Sequence, residues 1–288
     1  FGFIEVGTVT PKRQLGNPKP RIFRLEKDEA LINRLGFNNH GSEIISQRIS
    51  NNQPNGLLGI NIGPNKDTKN KEEDYYKCLS KMFMYAGYIT INISSPNTEG
   101  LRDFHDQNEM EKLLTGLNKI KKDKKINQPI AIKLSPDISD SEISRIVELI
   151  KKYNIQGIVI SNTTDRNREN LEDIKKIEAG GLSGKPLKDI STNLIKKFYK
   201  ETKGKIKIIG VGGVDSGQSA FEKITAGADA IQLYTGMVYK GPGIVKDIKK
   251  ELISILKKEN LVKISEAVGI NAWPHYLQEL YSYRKNYV

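Results

Sequence analysis

Seven short runs of β-branched and other apolar residues recur along the chain, and each predicts a β-strand. Most of the runs are continuously apolar rather than alternating, which is typical of strands buried on both faces of a parallel sheet. The runs are Phe3–Val9, Leu57–Ile62, Tyr88–Ser94, Ile130–Leu134, Gly157–Ser161, Ile206–Val211 and Ala230–Tyr234.

Helical patterns lie between most of the predicted strands. One of them opens with Ser139-x-x-Glu142, a capping box, and continues with apolar residues at helical spacing. The predicted helices are Asp74–Tyr85, Met110–Ile120, Ser139–Tyr153, Ile190–Tyr199, Gln218–Ala226 and Ile244–Lys257. Strands that alternate with helices predict an α/β fold with a parallel sheet and right-handed crossovers.

The seven predicted strands favour a (β/α)8 barrel of the TIM type, although such a barrel needs eight parallel strands. The chain begins with Phe1-Gly2-Phe3, without Met and already inside an apolar run. We therefore expect the first strand of the barrel to lie upstream and to be missing from this chain.

No linker divides the chain, so residues 1–288 are predicted to form a single barrel domain. Residues 10–56 carry Pro11, Pro18 and Pro20, and we expect them to be an inserted excursion over one mouth of the barrel. Residues 261–288 follow no barrel pattern, and the aromatic side chains of this C-terminal tail are expected to dock on the barrel.

Composition and charge argue against several functional classes. The net charge is +12, with 46 Lys and Arg against 34 Asp and Glu. Because the lysines are spread along predicted helices and no zinc-finger or RNP-like motif accompanies them, a solvated basic surface is favoured over nucleic-acid binding. The single cysteine, Cys78, excludes an internal disulfide, and the three scattered histidines predict no metal site. No apolar run is long enough to span a membrane.

Glycine-rich segments follow the last two predicted strands. Gly210-Val211-Gly212-Gly213 follows one strand, and Thr235-Gly236 with Gly241-Pro242-Gly243 follows the other. The loops after strands 7 and 8 of such barrels commonly bind phosphate, because bare backbone N–H groups can approach an anion there. We interpret these glycines as a phosphate site; the alternative is that they only turn the chain.

Amide side chains gather at or near the ends of other strands, at Asn61, Asn92, Asn97 and Asn162. A carboxamide carries both a donor and an acceptor, so such a set suits a flat ligand with alternating C=O and N–H groups, such as a pyrimidine ring. Turn and cap formation is the alternative use of these residues.

Lys133 and the Ser94–Thr98 segment are further candidates. Lys133 interrupts an apolar strand, where an unpaired charge is costly, so we expect it to face the barrel mouth and meet an anion. It could instead form a Schiff base with a carbonyl substrate. A serine of the segment could be a nucleophile, a base or a cap. The chain lacks Gly-x-Ser-x-Gly, P-loop and Rossmann motifs.

Nine longer motifs extend from the start of the chain into its last third. They are EVGTVTP (5–11), GNPKP (16–20), NRLGFNN (33–39), NIGPNKDT (61–68), NISSPNT (92–98), SNTT (161–164), GGLSGKPL (180–187), IGVGG (209–213) and QLYT (232–235). Together they resemble the class 2 dihydroorotate dehydrogenases, whereas any one motif alone would be unspecific.

The resemblance implies an FMN-bearing barrel that oxidises dihydroorotate to orotate in pyrimidine biosynthesis. Class 2 members pass the electrons to a membrane quinone, expected here to be of the ubiquinone type. They lie peripherally on an inner membrane, which could be the bacterial cytoplasmic face or the mitochondrial inner membrane. Family members also have an upstream Gly-x-Asp-Lys strand and an N-terminal helix pair that meets the membrane. Neither occurs in this sequence.

The resemblance also assigns site residues, position by position. Flavin contacts are expected from Thr8, Asn61, Asn92, Lys133, Ser161, Gly184, Gly213, Tyr234 and Thr235. Substrate contacts are expected from Asn33, Arg34, Leu35, Gly36, Phe37, Asn92, Asn97, Asn162 and Thr163. The catalytic set is Ser95, Thr98, Phe37 and Lys133. A serine at the base position, where class 1 has cysteine, selects class 2.

In the implied reaction Ser95 takes a proton from C5 of dihydroorotate, and C6 loses a hydride to N5 of the flavin. Thr98 relays the proton to water, Phe37 screens the site, and Lys133 stabilises negative charge on the reduced ring. Two other functions stay open. One is a phosphate-binding isomerase or aldolase that uses Lys133 as a Schiff-base amine, and the other is a barrel that binds FMN or orotate without turnover.

Overall fold

The computed structural model describes residues 1–98 and 100–273. These residues contain ten strands and eight α-helices. The strands are β1 (Phe3–Val9), β2 (Ile22–Leu25), β3 (Ala30–Asn33), β4 (Leu57–Ile62), β5 (Tyr88–Asn92), β6 (Ile130–Leu134), β7 (Gly157–Ile160), β8 (Gly181–Gly184), β9 (Lys207–Gly210) and β10 (Ala230–Ile231). The helices are α1 (Ser42–Asn51), α2 (Lys71–Met82), α3 (Gln107–Asp123), α4 (Asp140–Lys152), α5 (Lys188–Thr202), α6 (Gly217–Ala226), α7 (Thr235–Lys240) and α8 (Ile244–Lys258).

The central sheet has seven strands in the order β1-β4-β5-β6-β7-β9-β10. Every neighbouring pair in it is parallel. Its two edge strands face each other, because Gln232, just past β10, donates a side-chain hydrogen bond of 3.1 Å to Glu5 of β1. The predicted α/β fold with a curled parallel sheet of the TIM-barrel type is confirmed.

The seven strands of this sheet are the seven that the apolar runs predict. β1, β4 and β6 have the predicted bounds, and the strand at Ala230 ends at Ile231, earlier than predicted. The six predicted helices all form, with ends that differ by a few residues. The capping box of Ser139 and Glu142 begins α4 as predicted.

The largest apolar cluster of the described residues lies between the sheet and its surrounding helices. It contains fully buried side chains of β4, β5, β6, β7 and β9, together with the inner faces of α2, α3, α4 and α5. Representative members are Ile60, Ile89, Ile91, Ile132, Ile158, Ile208, Leu79, Leu117, Ile150 and Phe198. Burial of these side chains is the main favourable contribution to folding.

A second, smaller sheet was not predicted from the sequence. It is antiparallel, in the order β2-β3-β8, and it joins residues 10–56 to the chain just before α5. Ser183 of β8 lies 2.9 Å, oxygen to oxygen, from Thr235 at the start of α7. The small sheet therefore stands at the carboxyl ends of the parallel strands. Helix α1, which was likewise not predicted, packs against α2.

The part of the C-terminal tail that is described, residues 261–273, packs along α6. The backbone N–H of Gly269 donates to Ile224 O at 3.0 Å, and that of Asn271 donates to Thr225 O at 2.9 Å. The remainder of the predicted tail, 274–288, lies outside the described residues. None of the helices described is long and apolar enough to cross a membrane.

Replacing Ile91 with alanine tests the packing of β5. The side chain is fully buried, so we expect the change to lower the free energy of unfolding by roughly 2–5 kcal/mol, through lost transfer energy and an unfilled cavity. Urea unfolding monitored by circular dichroism would measure the loss. Ile174→Ala is the control, because Ile174 is 82% exposed and should change stability little. Equal losses in both variants would contradict this core assignment.

Candidate active site

Five of the predicted site residues lie on neighbouring strands near the carboxyl ends of the parallel sheet. Thr8 belongs to β1, Asn61 to β4, Asn92 to β5 and Lys133 to β6, and Asn162 comes just after β7. The register pairs Asn92 with Lys133 across β5 and β6. Regular pairing of parallel strands therefore brings residues from five strands to one end of the barrel.

The amide side chains form one connected hydrogen-bond network. Thr8 Oγ1 donates to Asn61 Oδ1 at 2.8 Å and accepts from Asn92 Nδ2 at 3.0 Å. Asn92 Oδ1 in turn accepts from Asn162 Nδ2 at 3.2 Å and from Ser94 Oγ at 3.2 Å. Asn61 and Asn92 are each 5% exposed, so this network fixes the orientation of buried amides across the site.

Glu5 lies at the base of this network and was missed by the sequence analysis. Its carboxylate accepts hydrogen bonds from Asn61 Nδ2, Tyr88 Oη, Thr90 Oγ1 and Gln232 Nε2 at 2.8–3.1 Å. Burial opposes ionisation, but the charge of Lys133 and the hydrogen bonds outweigh it and lower the pKa of Glu5. A negative charge is thus held inside the barrel.

Lys133 projects into the same interior from β6 and is partly buried. Its charge acts on Glu5, yet within the described part of the chain no hydrogen bond or ion pair of its amino group is found. Its donors are therefore uncommitted among the described residues. The expectation that Lys133 faces the barrel mouth and meets an anion stays a prediction.

The Ser94–Thr98 segment follows β5 and closes over the site. Ser95 and Thr98 are each 6% exposed, and Ser95 Oγ accepts a hydrogen bond of 3.3 Å from the backbone N–H of Asn97. Asn97 Nδ2 donates to Asn33 O at 3.0 Å. The segment is therefore tied to β3 of the small sheet, which brings Asn33, Ser95 and Asn97 together.

Gly181 of β8 completes this side of the site. A Cβ atom there would lie 1.9 Å from Thr163 Oγ1 and 3.1 Å from Pro96 Cγ. Only glycine leaves room for these neighbours. The close approach places Thr163, which follows β7, beside the segment that carries Ser95.

Arg102 anchors the far end of the loop that begins with Ser95, and the sequence analysis did not single it out. It forms ion pairs of 3.0 Å with Asp137 and with Asp165, and it donates to Thr163 O at 3.3 Å. Asp137 also accepts from Thr164 Oγ1 at 2.6 Å. No local sequence pattern marks this set, because its members come from three separate loops.

The Arg34–Phe37 segment divides between the site and the surface. Arg34 pairs with Glu178 at 2.8 Å and lies over the ring of Phe23, in an open cleft of about 410 Å³ that Asn97 also lines. The backbone carbonyls of Leu35 and Gly36 accept hydrogen bonds from the 14–17 segment. A Cβ at Gly63 would be 3.2 Å from Phe37 Cε2, which places Phe37 over the strand ends.

Glycines shape the opposite side of the site. Gly184 has φ +96° and Gly213 has φ +67°, so both hold conformations that favour glycine. A Cβ at Gly184 would lie 3.0 Å from Thr235 Cγ2, and one at Gly213 would lie 2.6 Å from Lys188 Cα. Thr235 is buried, whereas Tyr234 is 64% exposed at the rim.

Ser161, between the amides and the glycines, has a buried hydroxyl without a hydrogen-bond partner among the described residues. A buried polar group of this kind ordinarily finds a partner, and leaving it unpaired is costly. The hydroxyl of Ser161 is therefore available for a hydrogen bond to a polar ligand.

Comparison with known proteins gives consistent matches. A family model described as dihydroorotate dehydrogenase matches residues 1–256. Dihydroorotate dehydrogenase (quinone) of Bartonella tribocorum is 45% identical over 271 residues, covering 92% of this chain and 75% of that protein. The protein of the same name from Vibrio parahaemolyticus is 48% identical over 260 residues, covering 88% and 77%. A crystal structure of DHODH from Eimeria tenella in complex with ferulenol superposes with a TM-score of 0.91 at 37% identity, covering 95% and 80%.

Substitution of Glu5 by glutamine tests the charge inside the barrel. We expect the variant to lose about 3 kcal/mol of unfolding free energy at pH 7, since hydrogen bonds to a charged group are the strong ones. The pKa of Glu5 is lowered from 4.5, so its stabilising contribution is present above that value and is lost as the pH falls through the lowered pKa. Urea titrations at several pH values would therefore show the difference shrinking below about pH 4.5.

Glu148→Gln, on the exposed face of α4, is the matched control and should change stability little at any pH. If the loss of unfolding free energy in Glu5→Gln were the same at pH 7 and well below pH 4.5, the assignment of an ionised Glu5 would be contradicted.

Proposed function

The chain belongs to the dihydroorotate dehydrogenase family, as its motifs predicted, and we propose that Ser95, FMN and a membrane quinone carry out its reaction. The protein is an oxidoreductase that oxidises dihydroorotate to orotate in pyrimidine biosynthesis. The observation that carries the finer proposal is the buried amide network at the strand ends, with Ser95 in the buried segment that follows Asn92 along the chain.

The residues of the site fit FMN. The unpartnered hydroxyl of Ser161, the free ammonium of Lys133 and the amides of Asn61 and Asn92 offer polar contacts for a flavin ring. Gly184, Gly213 and Thr235 offer bare backbone and a hydroxyl for its phosphate. When bound, FMN supplies the acceptor for the hydride from C6 of dihydroorotate.

Orientation of the substrate is assigned to amides from three parts of the chain. Asn97 of the closing segment bonds to Asn33 of β3, and Asn162 after β7 bonds to Ser94 at the start of that segment, with Thr163 next to Asn162. Their donors and acceptors match the alternating C=O and N–H groups of a dihydropyrimidine ring. A substrate held in one orientation presents C5 to a fixed base, which is a large part of the catalytic effect.

Ser95 is proposed to take the C5 proton. A serine hydroxyl is a weak base and needs a position from which the proton can leave. Ser95 Oγ accepts from the backbone N–H of Asn97, and Thr98 lies three residues along the same buried segment. We assign Thr98 as the relay to water and Phe37 as a screen over the site.

Lys133 is proposed to stabilise negative charge that develops on the ring system during the reaction. Its ammonium makes no hydrogen bond to a described residue, so it can donate to a ligand. Electrostatic stabilisation by such a preorganised group is usually the largest single contribution to catalysis.

The proposed electron acceptor is a membrane quinone of the ubiquinone type, because the relatives are named dihydroorotate dehydrogenase (quinone). Peripheral association with an inner membrane, either the bacterial cytoplasmic face or the mitochondrial inner membrane, follows from that acceptor. The charge of +12 would favour an anionic lipid surface.

Anaerobic reduction tests the proposed function as a whole. Purified protein should be yellow, and dihydroorotate added without oxygen should bleach the visible flavin spectrum. Addition of a soluble ubiquinone analogue should restore the spectrum. A yellow protein that dihydroorotate does not bleach would contradict the substrate, and a colourless protein that forms a borohydride-reducible adduct at Lys133 would favour a Schiff-base enzyme instead.

Replacement of Ser95 by alanine tests the base. We expect flavin reduction by dihydroorotate to slow by roughly 10²–10⁴-fold, the typical cost of losing a positioned acid–base group, while flavin remains bound. Rapid-mixing measurement of bleaching gives the rate, and the absorption spectrum gives the flavin content. Ser254→Ala, on the exposed surface of α8, is the control and should react at the normal rate. Normal reduction in Ser95→Ala would show that another group takes the proton.

A further inference from the structure

Lys223 is a lysine of α6 that is 0% exposed, although lysine is almost never fully buried in proteins. Its amino group contacts α5 through three acceptors: Lys188 O at 3.1 Å, Ser191 Oγ at 3.1 Å and Thr192 Oγ1 at 3.0 Å. No step of the proposed reaction uses this residue, so its burial needs a separate explanation.

The hydrogens in this cluster fix the form of Lys223 that fits it. Thr192 donates its hydroxyl hydrogen to Lys188 O at 2.7 Å, and Ser191 donates its own to Val211 O at 2.5 Å. Both hydroxyls have only one hydrogen, so all three contacts of Lys223 require a hydrogen from its own nitrogen. An ammonium has three such hydrogens and a neutral amine has two. The geometry is therefore that of an ammonium.

No carboxylate among the described residues lies within ion-pair distance of this ammonium. Asp189 and Glu222 favour its charge from farther away, whereas Lys188 opposes it. Glu251 of α8 is bonded to a backbone N–H at the start of α6. Burial dominates these influences and lowers the pKa of Lys223 to about 7. A nearby anion would therefore decide whether the charge is kept near neutral pH.

The turn of α5 that holds Lys223 also supports the Gly212–Gly213 loop. A Cβ at Gly212 would lie 3.2 Å from Ser191 Cβ, and one at Gly213 would lie 2.6 Å from Lys188 Cα. Ser191 links the two directly, since it accepts from Lys223 and donates to Val211, the residue before the loop. The buried charge thus stands behind the backbone of the loop.

We propose that Lys223 is a positioning residue that stations a buried positive charge behind the Gly212–Gly213 loop and so promotes binding of a phosphate group there. The inference rests on the proposed function, because the phosphate is that of FMN. It adds a proton linkage to that site: phosphate binding favours the ammonium of Lys223, and protonation of Lys223 favours phosphate binding to the same extent.

The linkage predicts an unusual direction for the pH dependence of flavin binding. As the pH rises from 6.5 to 8.5, Lys223 loses its charge in the flavin-free protein, so the affinity for FMN should fall. The phosphate itself becomes more negative above its second pKa of about 6, which acts in the opposite direction. A decrease with pH therefore cannot come from the ligand.

Titration of the flavin-free full chain with FMN and with riboflavin tests the inference. We expect the Kd for FMN, measured by quenching of flavin fluorescence, to rise severalfold between pH 6.5 and 8.5, toward the roughly tenfold limit that a linked shift of about one pKa unit sets. Riboflavin has the same ring system without the phosphate, so its Kd should stay constant. A Kd for FMN that is flat, or an equal rise for riboflavin, would overturn the inference.

Lys223→Met supplies a second test, because methionine fills much of the same space without charge. This variant should bind FMN about tenfold more weakly at pH 6.5. Its FMN affinity should no longer fall with pH, and its riboflavin affinity should be normal. Lys246→Met, an exposed lysine of α8, is the control and should behave as the unmodified chain.

The outcomes separate this inference from the proposed function. Failure of the unmodified chain to bind either flavin at any pH would overturn both. Normal FMN binding with the same pH profile in Lys223→Met would overturn only the role of Lys223. If that variant does not fold, the comparison of FMN with riboflavin on the unmodified chain decides alone.

Discussion

The interior of the barrel depends on the half-buried carboxylate of Glu5. Hydrogen bonds from Asn61, Tyr88 and Gln232 connect it to β4, to β5 and to the end of β10, and Lys133 of β6 contributes an opposite charge. A buried carboxylate without such partners would be strongly unfavourable, so the strands are constrained to positions that satisfy it. Because β1 and β10 are edges of the sheet without mutual backbone pairing, the bond from Gln232 joins them through side chains.

The amide network above Glu5 extends the same constraint into the site. Asn61, Thr8, Asn92 and Asn162 each bond to a side chain from another strand, so their orientations are fixed by folding rather than by a ligand. The entropy cost of ordering them is met when the barrel forms. A ring that matches the amides then binds to a preorganised surface, which is the efficient way to convert contacts into affinity.

Local patterns were enough to predict the parallel strands and their helices, because continuous apolar runs and helical spacing reflect burial on known faces. They were not enough for the small sheet: β3 pairs with the glycine-rich β8, far away in sequence, and β2 joins the sheet through β3. Glu5 was open to prediction, since it interrupts an apolar strand as Lys133 does, and a charge in such a strand needs partners. Arg102 was not, because its acceptors belong to distant loops.

The tethering of the closing loop explains how so weak a base as the proposed Ser95 could serve. A residue with little intrinsic basicity gains most from accurate placement, because a fixed geometry replaces a search by the reacting groups. The loop is held at both ends: Ser94 bonds to Asn92 near the start, and Arg102 binds Asp137 and two other acceptors at the end. Asn97 ties its middle to β3. The network that begins at Glu5 thus extends through the strand ends to the loop that carries the proposed base. In the proposed mechanism, accurate placement of Ser95 compensates for its low basicity.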